Sequence, residues 1–222
     1  MIFRDRADAG RQLAARLTRY ADRTDVLVLA LPRGGVPVAY EVAKELKAPL
    51  DVFLVRKLGV PGHEELAMGA IASGGIRVVN EELVHYLGIP DEVIDAIAAV
   101  EQQELERRAE AYRDGHPPPD IKNHVVILID DCLATGSTMR AAAASLRLQK
   151  PRRIVVAVPV SSPETCDEFR SEVDEIVCAV TPLHFQGVGR WYEDFSQTSD
   201  EEVRELLKRA MQQQHHVASS AP

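Results

Sequence analysis

The chain has 222 residues, of which 45% are hydrophobic, and its formal net charge at pH 7 is −8. This length and apolar content suit one domain with its own core, and the acidic charge argues against a nucleic-acid partner. Three cysteines are too few and unsuitably spaced for a metal knuckle or a disulfide framework. No apolar run approaches the roughly 20 residues that cross a membrane, and the N-terminus has no apolar signal segment. We therefore expect a cytoplasmic protein without a membrane partner.

The first predicted elements are a helix, a strand and a glycine turn. Residues 4–20 have apolar positions at helical spacing and predict an amphipathic helix, and residues 26–31 predict a strand that is covered on both faces. The following turn contains Arg33, Gly34 and Gly35 and leads into a second helix. Paired glycines let the backbone approach an anion closely, and an arginine can donate two hydrogen bonds to phosphate. The alternative is a helix-capping turn with a solvent-exposed arginine.

A third predicted strand, residues 51–55, ends in two cations, Arg56 and Lys57. Ligands of open α/β sheets bind beyond the carboxyl ends of the strands, so this pair is a candidate for binding an anion, the alternative being a solvated pair. Residues 60–75 contain four glycines and little regular period, and residues 76–80 predict a short strand.

The remaining elements alternate helices with strands. A long helix is predicted from the N-cap Asp91 to about Arg113, with an apolar first half and a charged second half that is solvated or contacts another subunit. Further strands are predicted at 153–160 and 175–180, and a last helix, with a capping box, at about 200–210. The alternation predicts an α/β fold, a doubly wound parallel sheet of about five strands. We expect a single domain over 1–210 and a disordered tail over 211–222.

The most informative stretch combines a strand, two acids and a small-residue loop. Residues 125–129 are apolar and mostly β-branched, which predicts a buried strand, and Asp130 and Asp131 follow it directly. The backbone N–H groups of the next loop and the helix N-terminus after it form an anion site. Since carboxylates repel phosphate, the acid pair suits sugar hydroxyls or Mg²⁺. A ribose that carries a 5-phosphate suits both the anion site and the acid pair. The loop residues are Ala134, Thr135, Gly136, Ser137 and Thr138.

This stretch resembles the phosphoribosyl pyrophosphate (PRPP) signature of type I phosphoribosyltransferases. That signature is an apolar strand, two acids, two variable residues and then a loop such as Ala-Thr-Gly-Ser-Thr. An ordinary strand-to-helix turn is the alternative, and a P-loop is excluded because no lysine follows Gly136. The resemblance implies a flexible flap at 60–75 and a small hood from the termini, added to the parallel sheet.

The resemblance also implies where PRPP binds. The 5-phosphate would lie in the 134–138 loop, and the ribose hydroxyls and Mg²⁺ on Asp130 and Asp131. The Mg²⁺-pyrophosphate would face the turn at 33–35, where the family often has a strained peptide. Phe185 would stack on the base, with Trp191 as second choice; the alternative for Trp191 is packing of the C-terminus onto the core. The pyrophosphate candidates are Arg33, Gly34, Gly35 and Lys57, and the catalytic candidates are Asp130, Asp131 and Lys57.

The implied function is Mg²⁺-dependent transfer of a phosphoribosyl group from PRPP to a nitrogenous base, with release of pyrophosphate. Ala134 stands where 6-oxopurine enzymes have an acid, which favours another base such as adenine. A PRPP-binding regulatory protein without turnover is the alternative. A thiol mechanism through Cys132 has no histidine close in sequence. We further expect a homodimer; the sequence leaves the acceptor open.

Overall fold

The computed structural model describes the backbone of residues 2–219, and the side chains of that range apart from those at 65 and 215–219. Eight strands are described: β1 Val26–Ala30, β2 Leu50–Val52, β3 Val55–Val60, β4 His63–Ala72, β5 Ile76–Val79, β6 Val125–Ile129, β7 Arg153–Val160 and β8 Glu175–Val180. Seven α-helices accompany them: α1 Arg6–Ala14, α2 Gly35–Leu46, α3 Glu81–Leu87, α4 Asp91–Arg113, α5 Ser137–Leu148, α6 Pro163–Phe169 and α7 Asp200–Ser219.

The central sheet has five strands in the order β2-β1-β6-β7-β8, and all neighbouring pairs are parallel. Every residue of β1 and β6 is buried. Alternate residues of a strand face opposite sides of the sheet. Val26 and Val28 accordingly pack with α1, α2 and α7, whereas Leu27 and Leu29 pack with α5 and α6. The predicted doubly wound sheet of about five strands is confirmed.

A second, smaller sheet corrects the interpretation of residues 51–75. Strands β3, β4 and β5 form an antiparallel sheet that packs on α4 and α5. The predicted strand at 51–55 is wrong, because the parallel strand ends at Val52 and a separate antiparallel strand begins at Val55. Arg56 and Lys57 therefore belong to the small sheet. The glycine-rich segment forms strands because pairing with the neighbouring strands satisfies its backbone hydrogen-bonding groups. This pairing is a non-local effect, and the hydrophobic periodicity of the segment does not reveal it.

Helix α4 is anchored at its C-terminal end by a buried ion pair. Arg113 is 8% exposed, and its Nε lies 2.9 and 3.1 Å from the two carboxylate oxygens of Asp51. Its Nη2 also donates to the carbonyl of Val52 at 3.0 Å. Burial raises the pKa of Asp51, although the Arg113 charge opposes that rise. The predicted helix bounds hold to within one residue, with Pro90 rather than Asp91 as the N-cap.

The two ends of the chain meet. The backbone N–H of Phe3 donates to the carbonyl of Trp191 at 2.8 Å, and the N–H of Glu193 donates to the carbonyl of Phe3 at 2.8 Å. Ser199 caps α7, as predicted, by accepting the N–H of Glu202 at 3.1 Å. Helix α7 runs to Ser219, so the predicted helix end near residue 210 is wrong. Disorder of the tail at 211–222 stays a prediction, and residues 220–222 lie outside the described residues.

Two of the three cysteines are paired, which gives a single bridge and not the disulfide framework that the sequence argued against. Cys166 on α6 and Cys178 on β8 form a disulfide, and Cys132 is free. The fold brings α6 beside β8, a proximity that the 12-residue separation in sequence did not indicate. Among the helices of the described residues, none is both long enough and apolar enough to cross a membrane.

Arg113→Met is expected to lower the free energy of unfolding by about 3–5 kcal/mol, because it leaves the buried Asp51 carboxylate without its partner. Urea denaturation at pH 7 measures this. The control is Arg170→Met, which removes an exposed ion pair with Asp167 and should leave stability nearly unchanged. Equal stability of the two variants would contradict an anchoring role for Arg113.

Candidate active site

The site forms where two neighbouring parallel strands end. Strands β1 and β6 pair along their whole length, with Ala30 opposite Ile129, and the N–H of Leu31 donates to the carbonyl of Ile129 at 2.8 Å. The chain leaves β1 toward β2 on one side and leaves β6 toward β7 on the other. Such a switch point opens a crevice at the carboxyl edge of the sheet, where ligands of α/β folds bind. The glycine turn at 33–35 and the acid pair thus lie side by side.

The glycine turn packs directly against the acid pair. A Cβ atom on Gly34 would lie 2.1 Å from Oδ2 of Asp131. One on Gly35 would lie 2.7 Å from the carbonyl oxygen of Ile129 and 2.9 Å from the Cα of Asp130. No side chain fits at these positions, which explains the paired glycines. The preceding Pro32–Arg33 peptide is cis, and α2 begins at Gly35.

Asp131 is held by residues from both ends of the chain. Arg6 Nε donates to its Oδ2 at 2.9 Å, and the two side chains are only 11% and 13% exposed. The Arg6 guanidinium also lies 4.0 Å from the centre of the Phe195 ring and donates to the carbonyl of Ser196 at 2.6 Å. Tyr192 donates its hydroxyl to the backbone carbonyl of Asp131 at 2.6 Å. Sequence reasoning missed Arg6, since nothing in its own helix distinguishes it from a solvated arginine.

Asp130 has a different environment. Burial and the neighbouring Asp131 charge raise its pKa well above the ordinary range, although its Oδ1 accepts the Asp131 N–H at 2.8 Å. Burial likewise raises the pKa of the Cys132 thiol. A thiol held in its neutral form is a poor nucleophile, so the site relies on its carboxylates and its polar loop.

The small-residue loop is compact and held by neighbouring side chains. Gly136 adopts φ 75°, a left-handed conformation, and a Cβ there would lie 2.5 Å from the Phe169 ring. Arg140 donates to the carbonyl of Thr135 at 2.7 Å, and Thr165 donates to the carbonyl of Ala134 at 3.0 Å. These contacts fix the loop from behind. Three hydroxyl-bearing residues remain exposed at the start of α5: Thr135, Ser137 and Thr138.

The other predicted residues are distributed unevenly around this centre. A small cavity of about 50 Å³ joins the two loops, since Pro32 and Arg33 line it together with Thr138. Arg56, which pairs with Glu101 of α4, also lines it. Arg56, one of the two cations of the predicted pair, is therefore a candidate site residue, and the assignment of Lys57 to the pyrophosphate stays a prediction. Lys57 is exposed on β3.

The two aromatic candidates, Phe185 and Trp191, are half-buried and pack against the core cluster that includes Phe3 and Tyr192. Packing of Trp191 onto the core was the alternative given for it. The described residues contain no group of three or more His, Cys, Asp or Glu side chains that could hold a metal by themselves. A metal here would need oxygen ligands from a bound substrate besides Asp130 and Asp131.

The chain has an α/β fold with a crevice at a topological switch point, and the glycine turn and the acid pair meet at that edge of the sheet. The family description "Phosphoribosyl transferase domain" matches residues 2–190, and the chain belongs to this family.

Two relatives cover nearly all of the chain. A Mycobacterium tuberculosis protein that carries the provisional name phosphoribosyl transferase is 46% identical over 94% of this chain and 47% of its own length. The crystal structure of TT1426 from Thermus thermophilus is 42% identical, covers 94% of this chain and 99% of that one, and superposes with a TM-score of 0.83. A uracil phosphoribosyltransferase of Malacoplasma penetrans is 23% identical over 82% of this chain and 84% of its own. The chain spans about half the length of the mycobacterial relative.

Gly35→Ala is expected to lower the free energy of unfolding by about 1–3 kcal/mol, because the added methyl group would collide with the backbone of Ile129 and Asp130. Urea denaturation measures the change. Gly189→Ala is the control, since a Cβ at that position meets nothing within 4 Å. If both variants unfold at the same urea concentration as the wild type, the packing argument for the glycine turn is wrong.

Asp130→Asn is expected to stabilise the ligand-free protein, by on the order of 1 kcal/mol at pH 8. The folded state favours the protonated Asp130 carboxyl. Its contribution to stability is therefore fully present below the unfolded-state pKa, about 4, and is lost as the pH rises through the raised folded-state pKa. The advantage of the variant should grow between pH 4.5 and pH 8 in urea denaturation.

The matched control for this experiment is Asp131→Asn, which removes the partner of Arg6 and should destabilise the protein at pH 8. An Asp130→Asn advantage that does not change with pH would argue against a raised pKa.

Proposed function

We propose that the chain is a phosphoribosyltransferase that transfers the phosphoribosyl group of PRPP to a ring nitrogen of a base and releases pyrophosphate. The observation that most directly supports this proposal is the close packing of the turn at 33–35 against the acid pair, with the 134–138 loop at the same edge of the sheet. Family membership supports PRPP and a base as the substrates. Because the chain spans about half of its mycobacterial relative, the activity of any longer protein is part of this proposal.

Each half of the site suits one part of PRPP. The exposed hydroxyls and backbone N–H groups at the start of α5 would bind the 5-phosphate. Asp130 and Asp131 would accept hydrogen bonds from the ribose hydroxyls, and these donors compensate the buried carboxyl of Asp130. The turn at 33–35, with Arg33, Arg56 and Lys57, would bind the pyrophosphate.

The chemistry requires little of the protein beyond geometry and charge. A lone pair of the base nitrogen attacks C1 of the ribose, the bond from C1 to the pyrophosphate oxygen breaks, and the electron pair leaves with pyrophosphate. Arginines and lysine at the pyrophosphate end would offset the growing negative charge. Holding both reactants in one crevice lowers the entropic part of the activation barrier. The β3–β4 hairpin would act as the flap and exclude water from the reacting carbon.

Magnesium fits the residues that are present. Mg²⁺ is commonly bound by one or two carboxylates together with substrate phosphates and water, and Asp130 and Asp131 provide two carboxylates beside the proposed pyrophosphate site. The ion would neutralise pyrophosphate charge when bound.

The acceptor is proposed at the level of class. Ala134 favours a base other than the 6-oxopurines, such as adenine, and Phe185 is the proposed stacking residue, with Trp191 second. The uracil phosphoribosyltransferase relative is a reason to include pyrimidines in any assay. A homodimer in the cytoplasm is also proposed.

The double variant Asp130→Asn with Asp131→Asn is expected to bind PRPP at least 100-fold more weakly, measured as Kd. It removes two carboxylates that would accept charge-assisted hydrogen bonds from the ribose, each worth about 1.5–3 kcal/mol. Calorimetry with PRPP and Mg²⁺ measures this, and circular dichroism checks the fold. A matched control is Asp95→Asn with Asp174→Asn, which removes two carboxylates that pair elsewhere, with Arg77 and Arg147.

Pyrophosphate release from PRPP, assayed against adenine, other purines, uracil and orotate, then tests turnover. Unchanged PRPP affinity in the acid-pair variant would overturn the ribose assignment. Tight PRPP binding with no turnover on any base would favour the regulatory alternative.

A further inference from the structure

A second cavity lies beside Arg33, away from the acid pair. Its volume is about 340 Å³, and it is formed by the glycine turn, α4 and the start of α7. Four arginines line it against two carboxylates, in a chain whose net charge is −8. An acidic protein that gathers cations in one concave place creates a local attraction for anions. The charged residues in its wall are Arg33, Arg107, Arg108, Arg204, Asp200 and Glu201.

The arginines of α4 are held in place by one acid. Glu104 accepts two hydrogen bonds from Arg107, at 2.8 and 3.0 Å, and one from Arg108 at 2.7 Å. Hydrogen bonds from Arg107 and then Arg108 lower the pKa of Glu104 to about 2. Arg204 on α7 pairs with Glu201 at 2.8 Å. A guanidinium carries five N–H donors, more than these contacts use, so each arginine can still donate to a ligand.

The cavity adjoins the proposed pyrophosphate site. Arg33, Arg108 and Tyr112 line both this cavity and the small one that reaches Thr138. Arg33 Nη1 lies 3.9 Å from Oδ1 of Asp200, a loose pairing, and Asp200 also accepts the hydroxyl of Tyr112. Arg33 thus lies between the two cavities, and an anionic ligand in either one can interact with its positive charge.

Ordinary surface pairing does not account for this arrangement. Pairs such as Arg107–Glu104 are common along exposed helices and contribute little to stability. Here, however, arginines from three separate elements, the glycine turn, α4 and α7, line one concavity. A volume of about 340 Å³ is within the size range of small-ligand sites.

We propose that this cavity is a second anion site, which binds a phosphate-type oxyanion. Its source is either the pyrophosphate product leaving the PRPP site or the phosphate of another phosphorylated small molecule. The oxyanion accepts hydrogen bonds from Arg107, Arg108 and Arg204 and shares Arg33 with the PRPP site. The second site stands independently of the proposed function; only the coupling through Arg33 rests on it.

The test is calorimetric titration of the full chain with inorganic pyrophosphate and, separately, inorganic phosphate, at low salt and without divalent cations. Three proteins are compared: wild type, Arg107→Gln with Arg204→Gln, and a control, Arg147→Gln with Arg209→Gln. The control removes the same charge from ion pairs elsewhere on the surface. We expect the cavity variant to lose one pyrophosphate site, or to bind at least tenfold more weakly there, while the control matches wild type. In a separate titration with Mg²⁺ present, PRPP affinity should stay within twofold in all three.

The two anions distinguish the sources. A lost site that prefers pyrophosphate over phosphate at least tenfold supports the product, and equal affinities support a phosphate monoester. Identical isotherms for the cavity variant and wild type overturn the proposal, as does an equal loss in the control. If wild type binds pyrophosphate at the variant-sensitive site but does not bind PRPP, the proposed function fails while the second anion site stands.

Discussion

The contact between the glycine turn and the acid pair is the constraint on which the rest of the site depends. The two segments, each at the end of a parallel strand, approach so closely that a Cβ on Gly35 would meet the backbone of Ile129 and Asp130, and one on Gly34 would meet the carboxylate of Asp131. The pairing of β1 with β6 sets this distance, and the pairing in turn requires strands that are buried on both faces. The apolar strands, the glycines and the carboxylates are therefore one structural unit.

Two adjacent carboxylates at that point are costly in the absence of a ligand, and the structure treats them differently. Asp131 has a cation, Arg6, and a hydroxyl from Tyr192 on its carbonyl. Burial and the Asp131 charge raise the pKa of Asp130, and the Arg6 charge offsets this rise only in part. A site arranged in this way is stabilised by a ligand that brings donors or positive charge to Asp130, which links the stability of the fold to binding.

Charge is organised at longer range as well. The chain is acidic overall, yet arginines of three helices lie near the glycine turn: Arg6 of α1 pairs with Asp131, and arginines of α4 and α7 line the cavity beside Arg33. Helix α4 holds its arginines there because Arg113 fixes its last turn to β2 through Asp51. The charged half of α4 has the sequence of a solvated helix surface, yet it contains both the Arg113 anchor and residues that line the cavity.

Much of the central architecture was predictable from the sequence, because it depends on local patterns. Apolar runs indicated the strands, and alternation with helices indicated the parallel sheet. The pair Asp130 and Asp131, followed by a small-residue loop, indicated the centre of the site. Each of these features is encoded within about fifteen consecutive residues, where periodicity and turn chemistry are informative.

Local sequence patterns therefore specify the class of fold and the two loops that meet at the switch point. The distant groups that complete the site are brought there by folding. Arg6 and Asp131 are 125 positions apart, and Arg113 and Asp51 are 62 apart. The antiparallel sheet at 55–79, the Cys166–Cys178 pair and the length of α7 likewise depend on partners elsewhere in the chain. Such contacts arise from packing between elements, and no local pattern specifies them.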